Sequence, residues 1–282
     1  MRFAALRCLV LGSVLVSATA SAQMDLRGAW AQRFHEDSAE RGGGPLIGDY
    51  TGLPINDAAR SRGDTWDAAK WTVPEHQCEP HPADYAYHGP ANLWIESTLD
   101  PDTFEVVSYE ITYSWMTTKK IIWMDGRPHP PQTAPHTWMG FSTGRWEGDT
   151  LIVDTTHIKE GWMRRNGIPR DDHARITEYF MRRGNFLTVV MSVEDSAYAT
   201  EPLIRSWNWE LNPGYRMAPY TCSARVEIDR PEGFVAHWLP GTNPSLHDFA
   251  KQVGIPYEAS RGGAETLYPE YRARLRELME DE

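Results

Sequence analysis

The stretch GRWEGDTLIVDTTH, residues 144–157, decides how the middle of the chain folds. Gly148 occupies the first central position of a tight turn, where glycine favours a type II′ β-hairpin. That turn brings Trp146 back onto Leu151. In the second strand, side chains alternate between two faces. One face carries Leu151, Val153, Thr155 and His157, and the other carries Thr150, Ile152, Asp154 and Thr156.

The same alternation continues on both sides of this hairpin. Residues 103–115 place Val107, Tyr109, Ile111, Tyr113 and Trp115 on one face, and further strand-like runs follow to about residue 228, separated by glycine and asparagine turns. Consecutive strands with short turns predict an antiparallel meander. We expect an all-β fold in which the meander closes into a barrel, since closure removes exposed edges. A two-sheet sandwich is the alternative.

The chain ends predict two further segments. Residues 1–22 combine Arg2 and Arg7, an apolar run and a small-residue site, which is typical of a secretory signal peptide. Residues 23–240 should form the barrel domain, including a long loop region at 40–90 rich in proline, histidine and tryptophan, which we expect to be ordered because its rings need burial. Residues 241–282 should form a short helical C-terminal extension.

The charge narrows the classes of partner. The formal net charge of −11 becomes −13 when the two arginines of the signal segment are removed. An acidic surface argues against nucleic acid and anionic membranes, and no run after the signal segment is long enough to insert into a membrane. We expect a periplasmic or secreted protein.

Two cysteines remain after removal of the signal segment, Cys78 and Cys222. Export places them in an oxidising compartment, where two cysteines usually pair. A Cys78–Cys222 disulfide is therefore predicted, with two separate buried thiols as the alternative.

The central motifs resemble a family of exported bacterial proteins of unknown function. The similarity lies in IIWMDGRPHPP (121–131), HTWMGFSTGRWEGDTLIVDTT (136–156), RITEYFMRR (175–183) and VEDSAYATEP (193–202). The resemblance implies export and a lipocalin-like, calycin-type barrel, without an established reaction. Matching motif positions are Arg127, His129, Trp138, Gly140, Trp146, Glu147, Asp149, Glu178 and Asp195. The chain departs from the pattern at Phe141 and Ser196.

Candidate site residues lie on and near these motifs. Prolines stiffen the loop that carries Arg127 and His129, which suits a guanidinium and an imidazole to meet one ligand; alternatively, Arg127 pairs with Glu147 or Asp149. Glu178 shares a strand face with Ile176 and Phe180, where it could transfer protons or pair with a neighbouring arginine. The candidate catalytic residues are Glu178 and His129. The predicted ligand-binding residues are Arg127, Trp138, Trp146, Glu147, Asp154 and His157.

Other chemistries have little support in the sequence. His129, His136, His157 and His173 could supply metal donors, but they have no compact spacing, so no metal site is predicted. No serine-nucleophile, phosphate-loop or dinucleotide motif is present, and no cofactor is expected. Trp207 and Trp209 share one strand face and are expected in the core, with a ligand-stacking platform as the alternative.

Three functions follow from these patterns. The first is binding of a small, largely apolar or aromatic organic ligand in the barrel cavity. The second is a cofactor-free lyase, isomerase or hydrolase that uses carboxylate and histidine acid–base chemistry in the same cavity. The third is a structural module of the envelope without a ligand. Whether the protein is an enzyme depends on whether these side chains converge on one pocket.

Overall fold

Eleven strands account for most of the regular structure in a computed structural model that describes residues 24–33, 45–89 and 91–280. The predicted signal segment lies outside the described residues. The strands are β1 (Gly28–Arg33), β2 (Leu93–Leu99), β3 (Val106–Tyr113), β4 (Lys119–Trp123), β5 (Phe141–Glu147), β6 (Thr150–Thr156), β7 (Gly161–Arg164), β8 (Ile168–Arg170), β9 (Arg175–Arg183), β10 (Phe186–Glu194) and β11 (Leu203–Leu211).

Nine of these strands form a closed barrel, in the order β1-β11-β10-β9-β6-β5-β4-β3-β2. Strand β1 closes it by pairing with both β2 and β11. The predicted all-β barrel is thus confirmed. Strands β7 and β8 form a separate two-stranded hairpin outside the barrel.

The hairpin at residues 144–157 forms as predicted. Glu147 pairs with Thr150 across the turn, and Trp146 pairs with Leu151. Gly148 has a φ of 59°, which fits the first central position of a type II′ turn. The alternation continues through β6, where Leu151 and Val153 are buried on the interior face.

One strand pairing departs from the expected meander, because β4 and β5 run parallel, with Ile122 opposite Ser142. Residues 124–140 connect them and contain four prolines. Proline cannot donate to a sheet and disfavours a tight hairpin, so the connection crosses to the other end of the barrel before β5 begins. The other eight pairings in the barrel are antiparallel.

The described residues include four α-helices: α1 (Asp57–Asp64), α2 (Asp248–Val253), α3 (Tyr257–Ser260) and α4 (Tyr271–Glu280). The last three form the predicted C-terminal extension. Helix α1 lies in the loop region and was not predicted. Asn56 is the N-cap of this helix, and its side chain accepts a 3.0 Å hydrogen bond from the Ala59 amide. No helix in the described parts of the chain has the length and apolar character that a membrane crossing needs.

The predicted disulfide is present, with Cys78 and Cys222 bonded across a sequence separation of 144 residues. It ties the loop region to the segment that follows β11. This segment, residues 212–240, is called the strap below. It has no helix or strand of its own, and it returns across the loop region to pair His237 with Trp66.

Large side chains occupy the barrel interior. The most voluminous of them are at most 3% exposed: Trp30, Tyr87, Tyr113, Phe180, Trp207 and Trp209. Trp207 and Trp209 therefore belong to the core, as predicted. These buried rings occupy much of the lumen.

Candidate functional site

A candidate cavity of about 640 Å³ lies beside the barrel. We call it the tryptophan cleft. Helix α1 and the turn after it form one side, the β7–β8 hairpin another, and residues 234–237 of the strap a third. Its aromatic lining is Trp66, Trp138, Trp162 and Phe234.

The walls of the cleft are held by edge-to-face ring contacts. The centroids of Trp66 and Trp71 are 5.7 Å apart, and those of Trp71 and Trp162 are 5.1 Å apart. Such pairs prefer this geometry because the positive edge of one ring meets the negative face of the other. Trp138 also lines the cleft, with the Lys159 ammonium 5.1 Å from its ring centre. The cleft thus offers several flat faces to a planar molecule.

A smaller cavity of about 340 Å³ adjoins the tryptophan cleft through Trp162. It is bordered by the disulfide, and its far wall stacks His81 on Trp115, with ring centres 5.3 Å apart. Tyr220 of the strap packs against Trp115 at 5.0 Å. The disulfide therefore secures one wall of this inner cavity.

Three nitrogens around the inner cavity are buried without a hydrogen-bond partner in the described structure: Trp115 Nε1, Trp162 Nε1 and His81 Nδ1. An indole N–H can only donate, so Trp115 and Trp162 each lack an acceptor. Burial, together with smaller contributions from the nearby charges of Arg165 and His88, lowers the pKa of His81 to about 3. His81 is therefore neutral at physiological pH. A buried donor without an acceptor costs about 1–3 kcal/mol.

The backbone around the inner cavity is strained. Cys78 has a φ of 62°, Met116 of 56° and Thr117 of 47°. These are three of the five non-glycine residues with positive φ in the described chain, and a β-branched residue such as Thr117 is rare in this region. Such conformations cost about 1–3 kcal/mol each and concentrate at functional sites. Backbone strain and buried polar groups without a hydrogen-bond partner thus occur around the same inner cavity.

Charged groups at the cleft are largely matched. The Arg62 guanidinium lies 2.6 Å from a carboxylate oxygen of Glu160, and His76 Nδ1 lies 2.8 Å from Glu79 Oε1. Lys70 reaches over the face of Trp66 at 5.4 Å. The lining carries two cationic side chains, Arg62 and Lys70, and three carboxylates, Glu75, Glu79 and Glu160, so the cleft favours no strongly charged ligand.

The predicted catalytic pair does not share a site. Glu178 is inside the barrel, fully buried, where its carboxylate accepts hydrogen bonds from the Lys120 ammonium and, at 2.6 Å, from the Tyr87 hydroxyl. The expectation that Glu178 faces inward is confirmed, but its cation is Lys120 rather than an arginine. His129 lies on the outer side of the barrel wall.

The predicted ligand-binding residues are dispersed. Arg127 pairs with Asp125 at 2.8 Å and stacks on the Trp123 ring, instead of reaching Glu147 or Asp149. Glu147 is exposed and bonded to Arg145. Trp146 packs against the core. Of this group, Trp138 alone lines the tryptophan cleft.

Asp154 and His157 lie on the outside of the barrel, as does His129. The Asp154 carboxylate is half-exposed and lies 2.5 Å from Arg145 Nη1. His157 follows β6 with a φ of 57°. All three border shallow cavities of about 340–370 Å³ outside the wall.

A chain of hydrogen bonds joins two of these histidines. His157 Nε2 lies 2.9 Å from the Pro131 carbonyl, which only accepts, so in the neutral ring this nitrogen carries the hydrogen. Nδ1 of His157 then accepts from the Thr156 hydroxyl at 2.8 Å, and that hydroxyl accepts from His129 Nδ1 at 2.6 Å. His129 Nε2 completes the chain by accepting from Thr143 at 2.9 Å. Both rings are thereby held in one tautomer, and desolvation lowers the pKa of His129.

The comparisons with known proteins find no match: no family model, no curated protein and no solved structure corresponds to this chain.

Several aromatic residues of the tryptophan cleft and of the inner cavity were missed at the sequence level. Trp66, Trp71 and His81 lie in the loop region, where strand and helix periodicity is absent. The signal that could have found them is composition, since a long loop that concentrates tryptophan and histidine must bury those rings against something. Trp162 belongs to the short β7–β8 hairpin, which also has no clear sequence signature.

Proposed function

We propose that this protein is exported and binds a small, planar organic molecule that carries an acceptor oxygen, in the tryptophan cleft and its inner cavity. The observation that carries the proposal is the pair of buried indole N–H groups, on Trp115 and Trp162, that lack an acceptor. Both nitrogens are shielded from solvent, so a carbonyl, carboxyl or ether oxygen of a ligand would supply the acceptor as the surrounding side chains move aside.

The shape and lining of the cleft support a planar ligand. Small-molecule sites are typically cavities of about 300–1,000 Å³ with aromatic walls and a few polar groups. The cleft has this size, and Trp66, Trp138 and Trp162 provide its faces. Its mixed charges favour a neutral or weakly acidic molecule over a polycation or polyphosphate.

The proposed binding site lies outside the barrel, whereas the sequence predicted a ligand inside the barrel cavity. The barrel interior holds buried rings and the Lys120–Glu178 pair, so the proposed ligand occupies the outer cleft. The acid–base alternative requires Glu178 and His129 to meet one substrate, and they lie on opposite faces of the barrel wall. Binding is therefore preferred over catalysis by these residues.

Export to the periplasm or beyond is part of the proposal. The Cys78–Cys222 disulfide supports it, because disulfides persist in oxidising compartments. In such a compartment, the disulfide would stay oxidised and would hold the strap against the inner cavity.

The test is a screen of neutral and weakly acidic aromatic compounds, including benzoate and cinnamate derivatives, against the full chain by thermal shift. Hits are then titrated by tryptophan fluorescence, and protein from a native periplasm is examined by native mass spectrometry. We expect at least one compound to raise Tm and to lose at least tenfold in affinity in Trp66→Ala.

The matched control is Trp123→Phe, since Trp123 stacks on Arg127 away from the cleft. Its affinity should equal that of the wild type. A screen without any binder and a protein that purifies empty would overturn the proposal and favour an envelope module. Equal losses in both variants would show binding elsewhere.

A further inference from the structure

We propose that His136, Asp171, Asp172 and His173 form a binding site for one divalent first-row transition-metal ion of the Zn²⁺ type. The site lies at the histidine cavity, a depression of about 340 Å³ on the outside of the barrel to which His129 and His157 also contribute. It is separate from the tryptophan cleft and does not depend on the proposed ligand.

The donor atoms are already close together. One ligand atom each from Asp171, Asp172 and His173 falls within 4.8 Å of the others, and within the described ranges no other set of three or more such residues does so. His173 Nδ1 lies 2.7 Å from Asp172 Oδ1 and 3.1 Å from Asp171 Oδ1. Ligands at about 2.0–2.2 Å from a tetrahedral ion stand about 3.3–3.6 Å apart, so small side-chain rotations would admit the metal.

His136 approaches the same carboxylate from a different segment. Its Nδ1 is 3.6 Å from Asp172 Oδ2 and donates a 3.0 Å hydrogen bond to the Ile158 carbonyl. That bond leaves the lone pair of the neutral ring on Nε2. Neither nitrogen of His136 now lies within 4.8 Å of all three clustered ligand atoms, so His136 joins the ion by turning its ring toward them. A histidine whose other nitrogen donates to a backbone carbonyl is the usual arrangement of a metal ligand.

The two imidazoles must approach each other by about 1 Å to share an ion. The ring centres of His136 and His173 are 6.1 Å apart. Two imidazoles on one tetrahedral ion have ring centres about 5 Å apart, given metal–nitrogen distances of about 2.0–2.1 Å. His157 is closer to His136, at 5.4 Å, but both its nitrogens are engaged with Thr156 and Pro131. It therefore borders the site without serving as a ligand.

Both donor segments are fixed by the fold. The Asp171 amide donates to the buried Asp195 carboxylate at 2.7 Å, directly after β8. On the other side, Thr137 N donates to the His157 carbonyl at 2.9 Å, which holds the segment of His136 against the end of β6. A site pinned at both ends loses little conformational entropy when it binds an ion.

The ligand set defines the class of ion. Two carboxylates with two imidazoles suit Zn²⁺, Mn²⁺ or Fe²⁺ better than a soft ion such as Cu⁺, which prefers sulfur, or Ca²⁺, which prefers an all-oxygen shell. Arg175 also lines the histidine cavity. Its charge opposes a cation but is outweighed by the two aspartates, and it could hold an anion bound to the metal.

The test uses untagged full-length protein, stripped of metal with EDTA and titrated with ZnCl₂ by isothermal calorimetry. We expect one Zn²⁺ per chain. His173→Ala and His136→Ala should each raise Kd at least tenfold, and His173 is exposed enough that its removal should not perturb folding. The control is His247→Ala, an exposed histidine beside Asp248 outside this group, which should leave Kd unchanged.

Co²⁺ provides a second readout. A tetrahedral site with mixed nitrogen and oxygen ligands should give visible absorption bands that disappear in His173→Ala. The proposal is overturned if no stoichiometric binding occurs, or if the His136 and His173 variants bind as tightly as His247→Ala. Because the probes are metal ions alone, this outcome is independent of ligand binding in the tryptophan cleft.

Discussion

The Lys120 ammonium and the Glu178 carboxylate form an ion pair inside the barrel, where the two side chains are 1% and 0% exposed. Lys120 lies on β4 and Glu178 on β9, and two other strands separate these in the barrel order. The pair therefore joins walls that share no backbone hydrogen bonds. Tyr87 adds a third member by donating to the same carboxylate. This arrangement gives Glu178 a structural role.

Glu178→Gln should lower the free energy of unfolding by about 3–5 kcal/mol, because it leaves the Lys120 charge buried without a counter-ion. Urea denaturation followed by circular dichroism measures the loss. The double variant Lys120→Met/Glu178→Leu should recover most of the stability, since a buried pair can often be replaced by apolar residues of similar volume. A stable Glu178→Gln protein would contradict the structural role.

His81 should make the protein less stable in mild acid. Its pKa is about 3 in the folded chain, because burial disfavours the charged ring, against about 6.5 when unfolded. Between these values the unfolded state binds more protons, so stability falls as the pH falls. From pH 7 to pH 5, this residue alone should remove about 2 kcal/mol from the free energy of unfolding.

The measurement compares urea unfolding of wild type and His81→Phe at pH 7 and pH 5. Phenylalanine keeps a ring against Trp115 but does not titrate. The difference in stability between the two proteins should change by about 2 kcal/mol over this interval, whatever their stabilities at pH 7. A constant difference would mean that folded His81 is protonated as easily as in the unfolded chain.

Local patterns predicted much of the barrel, because strand alternation directly encodes which face is buried. Leu151 and Val153 face the interior as expected, and so does Glu178, whose neighbours Ile176 and Phe180 revealed its orientation. The disulfide was predictable for a different reason, since Cys78 and Cys222 are the only cysteines outside the predicted signal segment.

The candidate sites could not be predicted in the same way, because they depend on contacts between distant segments. Lys120 follows an exposed Lys119, and nothing local indicates that it meets Glu178, 58 residues away. His136 and His173 also come from separate connections, so their spacing matches no compact metal motif. The parallel β4–β5 pairing results from a proline-rich crossover. The alternation of side chains along a strand gives no information about the path of such a connection.

Removal of the disulfide should affect both stability and the cleft. Cys78→Ser/Cys222→Ser should lose up to roughly 4–5 kcal/mol, as the chain-entropy model gives for so long a loop. Because Cys222 holds Tyr220 against Trp115, the inner cavity should also loosen. Thermal unfolding and ligand titration of the variant check both effects, and proteolysis within residues 212–240 should become faster. A strap that resists protease as well as before would show that its other contacts suffice.

Removal of the indole N–H of Trp115 or Trp162 should have opposite effects on the stability of the free protein and on ligand binding. Replacing either residue by benzothienylalanine keeps the shape of the ring while sulfur takes the place of the N–H. Because that N–H has no acceptor in the described structure, the free protein should be unchanged or more stable by up to about 1–3 kcal/mol. The rise in Tm produced by a ligand that accepts from the same group should shrink.

The control for this exchange is Trp30, whose Nε1 donates to the Leu26 carbonyl at 2.9 Å. There the substitution removes a formed hydrogen bond, so stability should fall by about 0.5–1.5 kcal/mol and binding should not change. A comparable loss of stability at Trp115 or Trp162 would show that these donors are already satisfied in the free protein, for example by an ordered water. Comparing the changes in stability and binding at the three tryptophans therefore tests whether the inner cavity binds a ligand that supplies a hydrogen-bond acceptor.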